Sequence, residues 1–553
     1  MSLALAGAWL RRHAVPLLLA GLVGWYLLAT LPYLADFPVM EWAQMRIITP
    51  AYQLAATGTY GNALLTGFYN AERRYYEYMP LYPLQVAAAF ALLGPGIWQA
   101  RAVSVLGGLL GVLLTFALGR QLYAPRVGLL AAAALVLLRL GLPVPGEVDR
   151  IGIELNSSGV PLLDLARVVR FDIWVPVWVL AACLCFFWAH ARRSWLGFAL
   201  TGALAGLATL THVYGAFILV VLAVVLLWTE GWRSLRRAPV YLMAGGWLLA
   251  TLPWALYVLG DFGAYRGQMA KHGSLADLVR PGFYLDNLLR EPWRYLAWLG
   301  GSFRHPVLWP RLGIFLLAAG VGLALVLLWR RVRATRRPAD VFLLVAWPVL
   351  ALLLALLIHY KRYYYVLLLM PFLSLQLAYA LRAVWGQRRW RAAWVRGALG
   401  GLLALAVVEG AFGVGRSLQA ARATTRYAAL SAQLEQAIRP EATVLLAEPY
   451  WLGLTEHEAR SIQLAFLLSD ARYYAQPPPM MQVLVNLQPD YVITEERLLD
   501  IYGRDPSQVS DNAQDWRELD AYLSQRCPVI AADVVTPDYG EVKVYQCGTA
   551  AGQ

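Results

Sequence analysis

The sequence predicts a polytopic all-α membrane protein that carries a C-terminal extracytoplasmic α/β domain, and three observations lead there. Of the 553 residues 59% are apolar and only 15% charged, with 22 Trp and 30 Tyr, far outside soluble globular usage. The apolar residues fall in long runs parted by short basic clusters such as RRVRATRR (330–337). Beyond about residue 416 those runs give way to short stretches that alternate between strand-like and helix-like periods.

The runs long enough, or nearly so, to cross about 30 Å of hydrocarbon are 16–35, 101–119, 127–142, 173–190, 195–210, 213–229, 239–260, 308–329, 341–358, 364–383 and 395–414. The first follows Arg11, Arg12 and His13 in the manner of a signal peptide. It lacks an Ala-x-Ala-like end and many similar runs follow, so it is read as the first span. LYPLQVAAAFALLG (81–94) is short and carries Pro83. Parity decides how to count it. If it does not cross, the clusters at Arg11/Arg12, Arg120/Arg126, Arg192/Arg193, Arg233/Arg236/Arg237, Arg330 to Arg337 and Arg382 to Arg396 share one side, which must be cytoplasmic. It is therefore read as an interfacial or re-entrant helix. That leaves about eleven crossings, rising to about thirteen if a weakly apolar pair hides in 261–307, with the N terminus inside and the C terminus outside. The net charge of +13 is thus topological, fitting membrane lipids and no nucleic acid.

The domains expected are a membrane core at 1–415, with outer loops at 36–100, 143–172 and 261–307, and a tail domain at 416–553. Within the tail, 417–438 has helical periodicity, 442–449 reads as a strand, 455–470 as a helix and 481–488 as an apolar segment. A strand at 489–496, a helix at 515–524 and a strand at 542–547 complete it. It holds no GxGxxG, Walker lysine motif or CxxC. Cys183 and Cys185 lie in an apolar run; only Cys527 and Cys547 can form a disulfide, if the tail is extracytoplasmic.

Five groups of polar residues face outward on this topology. The first loop carries Asp36, Glu41, Glu72 and Glu77. Glu41 stands out because it follows the first span among Val39, Met40 and Trp42, where a charge is costly without a partner. Asp172, in RFDIWVPVW, starts an apolar helix, where capping alone explains a carboxylate; Arg170 is its counter-ion or a phosphate contact. KRYYY (361–365), after His359 and Tyr360, puts cations in a short outer turn against the prevailing rule. Charge-assisted donors there suit a lipid-linked phosphate, and a snorkelling aromatic belt is the plainer alternative. His212, in LTHVYG, either serves a carbonyl or sits near that phosphate. In ERRYYEYMPLYP (72–83), Arg73, Arg74, Tyr75, Glu77 and Tyr82 suit a polyol or phosphate substrate, though an interfacial belt has the same composition. No metal-ligand spacing of His, Cys and Asp occurs; a divalent cation on scattered carboxylates stays open.

Several stretches together resemble the GT-C class of integral-membrane glycosyltransferases, which includes the dolichyl-phosphate-mannose:protein mannosyltransferases and the lipid A aminoarabinose transferases. They are MEWAQMRIITPAYQLAATGTYG (40–61), the segment 78–135 beginning YMPLYPLQV, RVVRFDIWV (167–175), LAGLATLTHVYGAFIL (204–219) and HYKRYYYVLLLMPFLSLQLAYAL (359–381). The resemblance implies a polyprenyl-phosphate sugar donor and inverting transfer to a lipid, glycan or protein acceptor on the outer face of the cytoplasmic membrane. It also implies a catalytic carboxylate in the first outer loop. That loop usually opens with Asp then Glu; here Met40 and Glu41 stand there, so Glu41 or the earlier Asp36 takes the role. Asp172 matches the acidic residue of the second outer loop, and Lys361 and Arg362 match the basic residues near the donor phosphate. The expected assignment is Glu41 as base and Asp172 as orienting carboxylate, with Lys361 and Arg362 on the phosphate, helped by Arg170, His212 and His359. Tyr363 joins the residues expected on substrate. The alternatives are a non-catalytic protein of the same fold and a transporter; the latter requires mid-membrane ionisable residues, whereas Arg139 and Glu409 lie near span ends.

Overall fold

A computed structural model describes residues 3–141, 158–272, 275–296, 311–359, 361–386, 393–500 and 513–548. Its first half contains α1 (Leu3–Thr30), α2 (Trp42–Thr57), α3 (Leu81–Leu93), α4 (Ile97–Leu122), α5 (Pro125–Leu137), α6 (Pro161–Ala166), α7 (Trp174–Arg192), α8 (Trp195–Thr211), α9 (Phe217–Glu230) and α10 (Ala238–Leu259). The short α11 (Phe262–Gln268), α12 (Pro281–Leu289) and α13 (Pro292–Leu296) lead to α14 (Leu312–Thr335), α15 (Pro338–Leu357), α16 (Met370–Gly386) and α17 (Ala393–Ala423). Among the described residues eight helices are long and apolar enough to cross a membrane, and α3, α5 and α8 are shorter apolar helices.

Among the described residues every span read from the sequence contains a helix, with ends moved by local chemistry. The first stops at Thr30 rather than 35, because Pro32 disfavours a helical residue before it. Glu41 consequently stands well beyond that helix, at the start of α2. The run at 81–94 is the 13-residue α3, too short to span hydrocarbon upright at about 1.5 Å per residue. The described part of 261–307 holds only short helices and no hidden pair of spans.

Contacts between helix ends sort the bundle into two poles. At one, Arg101 near the start of α4 donates to Leu34 O beyond α1 (3.0 Å), and Asn287 Nδ2 donates to Leu356 O at the end of α15 (2.8 Å). Tyr257 OH, near the end of α10, reaches Tyr60 O in the first loop there (3.0 Å). At the other pole Tyr123, after α4, donates to Asp340 at the start of α15 (3.0 Å), and Arg331, late in α14, lies 2.8 Å from the same carboxylate. His190 and Arg237 both face Glu230 at the end of α9 there. Successive long helices therefore run in opposite directions once α3 is left out. Close approach is secured by small residues: a Cβ on Gly202 of α8 or Gly246 of α10 would strike the facing helix backbone.

The tail is a five-stranded sheet in the order β2-β1-β3-β5-β4, with β1 (Thr443–Leu446), β2 (Glu458–Ser461), β3 (Tyr491–Glu495), β4 (Val529–Thr536) and β5 (Gly540–Gln546). β1 is parallel to β2 and β3; β5 is antiparallel to β3 and β4. Alternation along the strands sends Leu445, Val492 and Tyr545 into a core with α19 (Ile462–Leu468), α20 (Met480–Leu487) and α22 (Ala513–Arg526). Val444, Leu446, Ile493 and Val544 face the other way, into the main core with α18 (Tyr427–Gln436), and the one-turn α21 (Glu496–Leu499) follows β3. Two sequence expectations are corrected here. The helix expected over 455–470 divides, because Ser461 ends β2 and its Oγ accepts from Gln463 N (2.9 Å), capping α19. VIAADVVT (529–536) is a strand that the reading missed, since its alternation is of small and exposed residues on a sheet edge. α17 continues to Ala423, past the boundary expected at 415.

A Cys527–Cys547 disulfide ties the end of α22 to the end of β5 across a separation of 20 residues. Cys183 and Cys185 are free thiols. Closing a loop of that size is worth about 3 kcal/mol. Cys527→Ser, or reduction, is expected to lower the unfolding free energy of the solubilised protein by that amount and so to lower its unfolding midpoint; an unchanged midpoint would deny the bond a stabilising role.

Candidate functional site

Glu41 is the N-cap of α2, with extended backbone (φ −111°, ψ 156°) and no side-chain hydrogen bond capping that helix. It is half-buried, beside the positive end of that helix and within electrostatic reach of Arg101. α2 forms here because Gln44, Ile47, Ile48 and Ala51 recur at helical spacing and are buried, and Gly58 closes it in the left-handed region at φ +76°. Arg101, fully buried, fixes the approach to Glu41: Nη1 donates to Leu34 O, Nη2 to Pro38 O (2.6 Å) and Nε to Gln44 Oε1 (3.2 Å). Asp36 is turned to the tail, its Oδ1 accepting from Tyr427 N at 3.0 Å.

Gln44 joins this loop to the next candidate group, since its Oε1 also accepts from Val169 N (3.2 Å). Three residues on, Asp172 is wholly buried; Oδ2 accepts from Arg170 Nε (3.1 Å) and Oδ1 from Tyr214 OH (2.9 Å). The Arg170 guanidinium lies 3.9 Å from the centre of the Tyr364 ring, a cation–π contact, and Arg170 N donates to Ser104 Oγ (3.4 Å). Ser104 Oγ in turn is 2.6 Å from Tyr82 OH. His212 stacks on Phe171 with centroids 4.9 Å apart, and Tyr365 packs against both His212 and Tyr214. Burial, and then the charge of Arg170, push the His212 imidazole down to about 3, so it is neutral and offers a phosphate no charge. Asp172, Arg170, His212 and Tyr82, singled out separately in the sequence, form one connected cluster. Tyr214, Ser104, Tyr364 and Tyr365 belong to it as well.

The cationic turn lies one contact further out. Lys361, with a side chain only 4% exposed, sits 3.0 Å from Glu291 Oε2 and donates to Ala355 O (2.9 Å) and Leu354 O (3.2 Å), the last carbonyls of α15. Arg294 and Tyr295 meet the other oxygen of Glu291, at 2.9 and 3.1 Å, and the Arg294 guanidinium lies 5.9 Å from the Tyr365 ring centre. Arg294 is fully buried, yet its Nε and Nη2 find no hydrogen-bond partner. Arg362 is exposed. His359 is exposed between Asn287 (3.2 Å) and Arg290 (3.5 Å). The Tyr363 side chain and Tyr360 lie outside the described residues.

The remaining first-loop candidates divide. Arg73 is exposed, and Arg74 caps α10 through Tyr257 O (2.9 Å). Tyr75 OH donates to Glu77 (2.7 Å), and Glu77 pairs with Arg46 (3.0 Å). Arg46 also meets Glu448 of the tail at 3.3 Å, a buried carboxylate that burial pushes up against the pull of Arg46 and whose other oxygen accepts from Ser461 Oγ (2.8 Å). Sequence reasoning missed Arg46, Arg101, Glu291, Arg294 and Glu448. Arg101 had a visible signal, a lone cation opening an apolar run; the others resembled ordinary surface charges. Among the described residues no group of three or more His, Cys, Asp or Glu side chains gathers to hold a metal.

With its alternating spans and a sheet domain seated on one pole, this chain has the GT-C fold of integral-membrane glycosyltransferases. It superposes on the crystal structure of ArnT from Cupriavidus metallidurans bound to undecaprenyl phosphate with a TM-score of 0.58, over 98% of this chain and 99% of that one, at 17% identity. In sequence it is similar to the undecaprenyl phosphate-α-4-amino-4-deoxy-L-arabinose arabinosyl transferase of Pseudomonas paraeruginosa, 32% identical over 190 residues, 34% of this chain. That match spans 31% of the relative's length. A second arabinosyl transferase so named, from Pseudomonas fluorescens, is 26% identical over 72% of this chain and 65% of its own length. No family model matches the chain.

Proposed function

We propose that this protein transfers a sugar from a polyprenyl-phosphate donor to a hydroxyl or similar group of a lipid, glycan or protein acceptor, with inversion at the anomeric carbon. The observation that carries the reading is the half-buried Glu41 on a braced helix start, joined through Gln44 to the Arg170–Asp172 cluster at the same pole of the bundle. That pole is the extracytoplasmic one, because the arginine clusters at Arg120/Arg126, Arg192/Arg193 and Arg233 to Arg237 adjoin helix ends at the opposite pole.

In the reaction the acceptor oxygen forms a bond to the anomeric carbon as its proton passes to the Glu41 carboxylate. The bond from that carbon to the phosphate oxygen breaks, and its electron pair leaves with the lipid phosphate. A phosphate leaving group needs charge stabilisation more than a proton. Arg170, Arg294 and Arg362 are suited to give it, Arg294 with two unpartnered N–H groups in a dry setting. Lys361 joins them where the donor displaces Glu291. Asp172, whose two oxygens are taken by Arg170 and Tyr214, acts by holding those two side chains. The arabinosyl transferases favour an undecaprenyl-phosphate aminopentose as the first donor to try.

Mass spectrometry of lipids and glycans from cells with and without the protein tests the reading. The expected result is one glycoconjugate that loses a single sugar when the protein is missing, while its polyprenyl-phosphate donor accumulates. Identical profiles, together with no transfer by purified protein from lipid-phosphate sugars, would overturn it.

A further inference from the structure

The loop bearing Glu41 has two supports drawn from distant parts of the chain. Arg101 holds it from the bundle side through Leu34 O, Pro38 O and Gln44. From the tail comes the β4–β5 hairpin. Its Tyr539 OH accepts a hydrogen bond from Met40 N at 3.0 Å, from the residue immediately before Glu41. The hairpin is well fixed: Gly540 turns it at φ +70°, Tyr539 N donates to Thr536 Oγ1 (3.0 Å), and Asp538 Oδ2 accepts from Thr425 N at the end of α17. Trp42, the residue after Glu41, packs on the core of the tail, and Tyr52 meets Trp451 edge-on at 5.2 Å. Met40 itself is buried, so its amide has little water to turn to if the phenol oxygen is lost.

We infer that Tyr539 is a positioning residue: the tail's hairpin pins the Met40 peptide and thereby aims the Glu41 carboxylate at the acceptor. This rests on the reading of Glu41 as the base. It gives the tail, which holds no catalytic motif, a defined part in turnover. A base must lie within hydrogen-bond reach of the proton it takes, and small misplacements of a reacting group cost rate more than affinity. The tail's other ties, Asp36 to Tyr427 N and Arg46 to Glu448, set the loop's general place, whereas Tyr539 acts on the peptide next to the carboxylate.

The test uses full-length protein in lipid nanodiscs and the variant Tyr539→Phe, which keeps the ring and removes the acceptor oxygen. Hydrogen exchange of the Met40 amide should speed up on the order of tenfold. With undecaprenyl-phosphate 4-amino-4-deoxy-L-arabinose as donor, kcat should fall on the order of tenfold while the donor KM holds. Asp538→Ala, which removes the acceptor of Thr425 N and loosens the hairpin, should move both readouts the same way by less, and Val535→Ala on the hairpin's exposed side should move neither. Unchanged exchange, or faster exchange with unchanged kcat, overturns the inference. So does a fall confined to KM. If Tyr539→Phe fails to fold, Asp538→Ala decides by the same two readouts. Wild-type protein that transfers nothing strikes the reading of Glu41 and this inference together, while an active wild type with an unaffected Tyr539→Phe strikes this inference alone.

Discussion

Glu41→Gln should lower the rate of transfer by about 10²–10⁴-fold while the protein folds and binds its lipid donor as before. The amide keeps the shape of the carboxylate and loses its charge and its capacity to take a proton. No side-chain bond from Glu41 caps α2, so the helix does not depend on it. A half-buried place at a helix N-terminus aims the carboxylate, and that is what a base for an acceptor hydroxyl requires. Single-turnover kinetics with saturating donor, beside a direct donor-binding measurement, separate the two effects. Near-full turnover would remove Glu41 from the chemistry and pass the base role to Asp36, the acid before it in this loop, which would then have to release Tyr427 N.

Asp172→Ala should cost about 3–5 kcal/mol of stability, the largest effect expected of any single change in this cluster. The reason is what it leaves behind. Arg170 is 8% exposed and Tyr214 1%, so removing the carboxylate strands a buried guanidinium and a buried hydroxyl together. Removing both ends of the pair, as Asp172→Leu with Arg170→Met, should recover much of the loss, because no uncompensated charge remains. Unfolding midpoints of the wild type and the two variants in detergent measure this. If the double variant proved as unstable as Asp172→Ala, the ion pair would not be the source of the cost.

The bundle was legible because a membrane span is written in consecutive residues: length, apolar content and flanking arginines all lie along the chain. Helix ends were less so. Pro32 moved the end of α1, and Ser461 turned part of an expected helix into β2. The edge strand β4 carried too few large apolar residues to show its period. At the site, residue types chosen for their chemistry in outward loops converged where those loops meet, as with Asp172, Arg170, His212 and Tyr82. The partners that decide what each can do were not legible. Glu291 on Lys361, Tyr214 on Asp172 and Tyr539 on Met40 are pairings across long stretches of sequence, and nothing in a local pattern announces them.

Tyr539 stands 499 residues after Met40. A ribosome adding ~5–20 residues per second needs roughly 25–100 s to make the second after the first. For that interval the nascent chain can already lie in the bilayer with its acidic loop in place, yet without its last clasp. On the proposed reading of Glu41, full turnover therefore waits until the β4–β5 hairpin has been made, and a chain that lacks it would be inserted but slow.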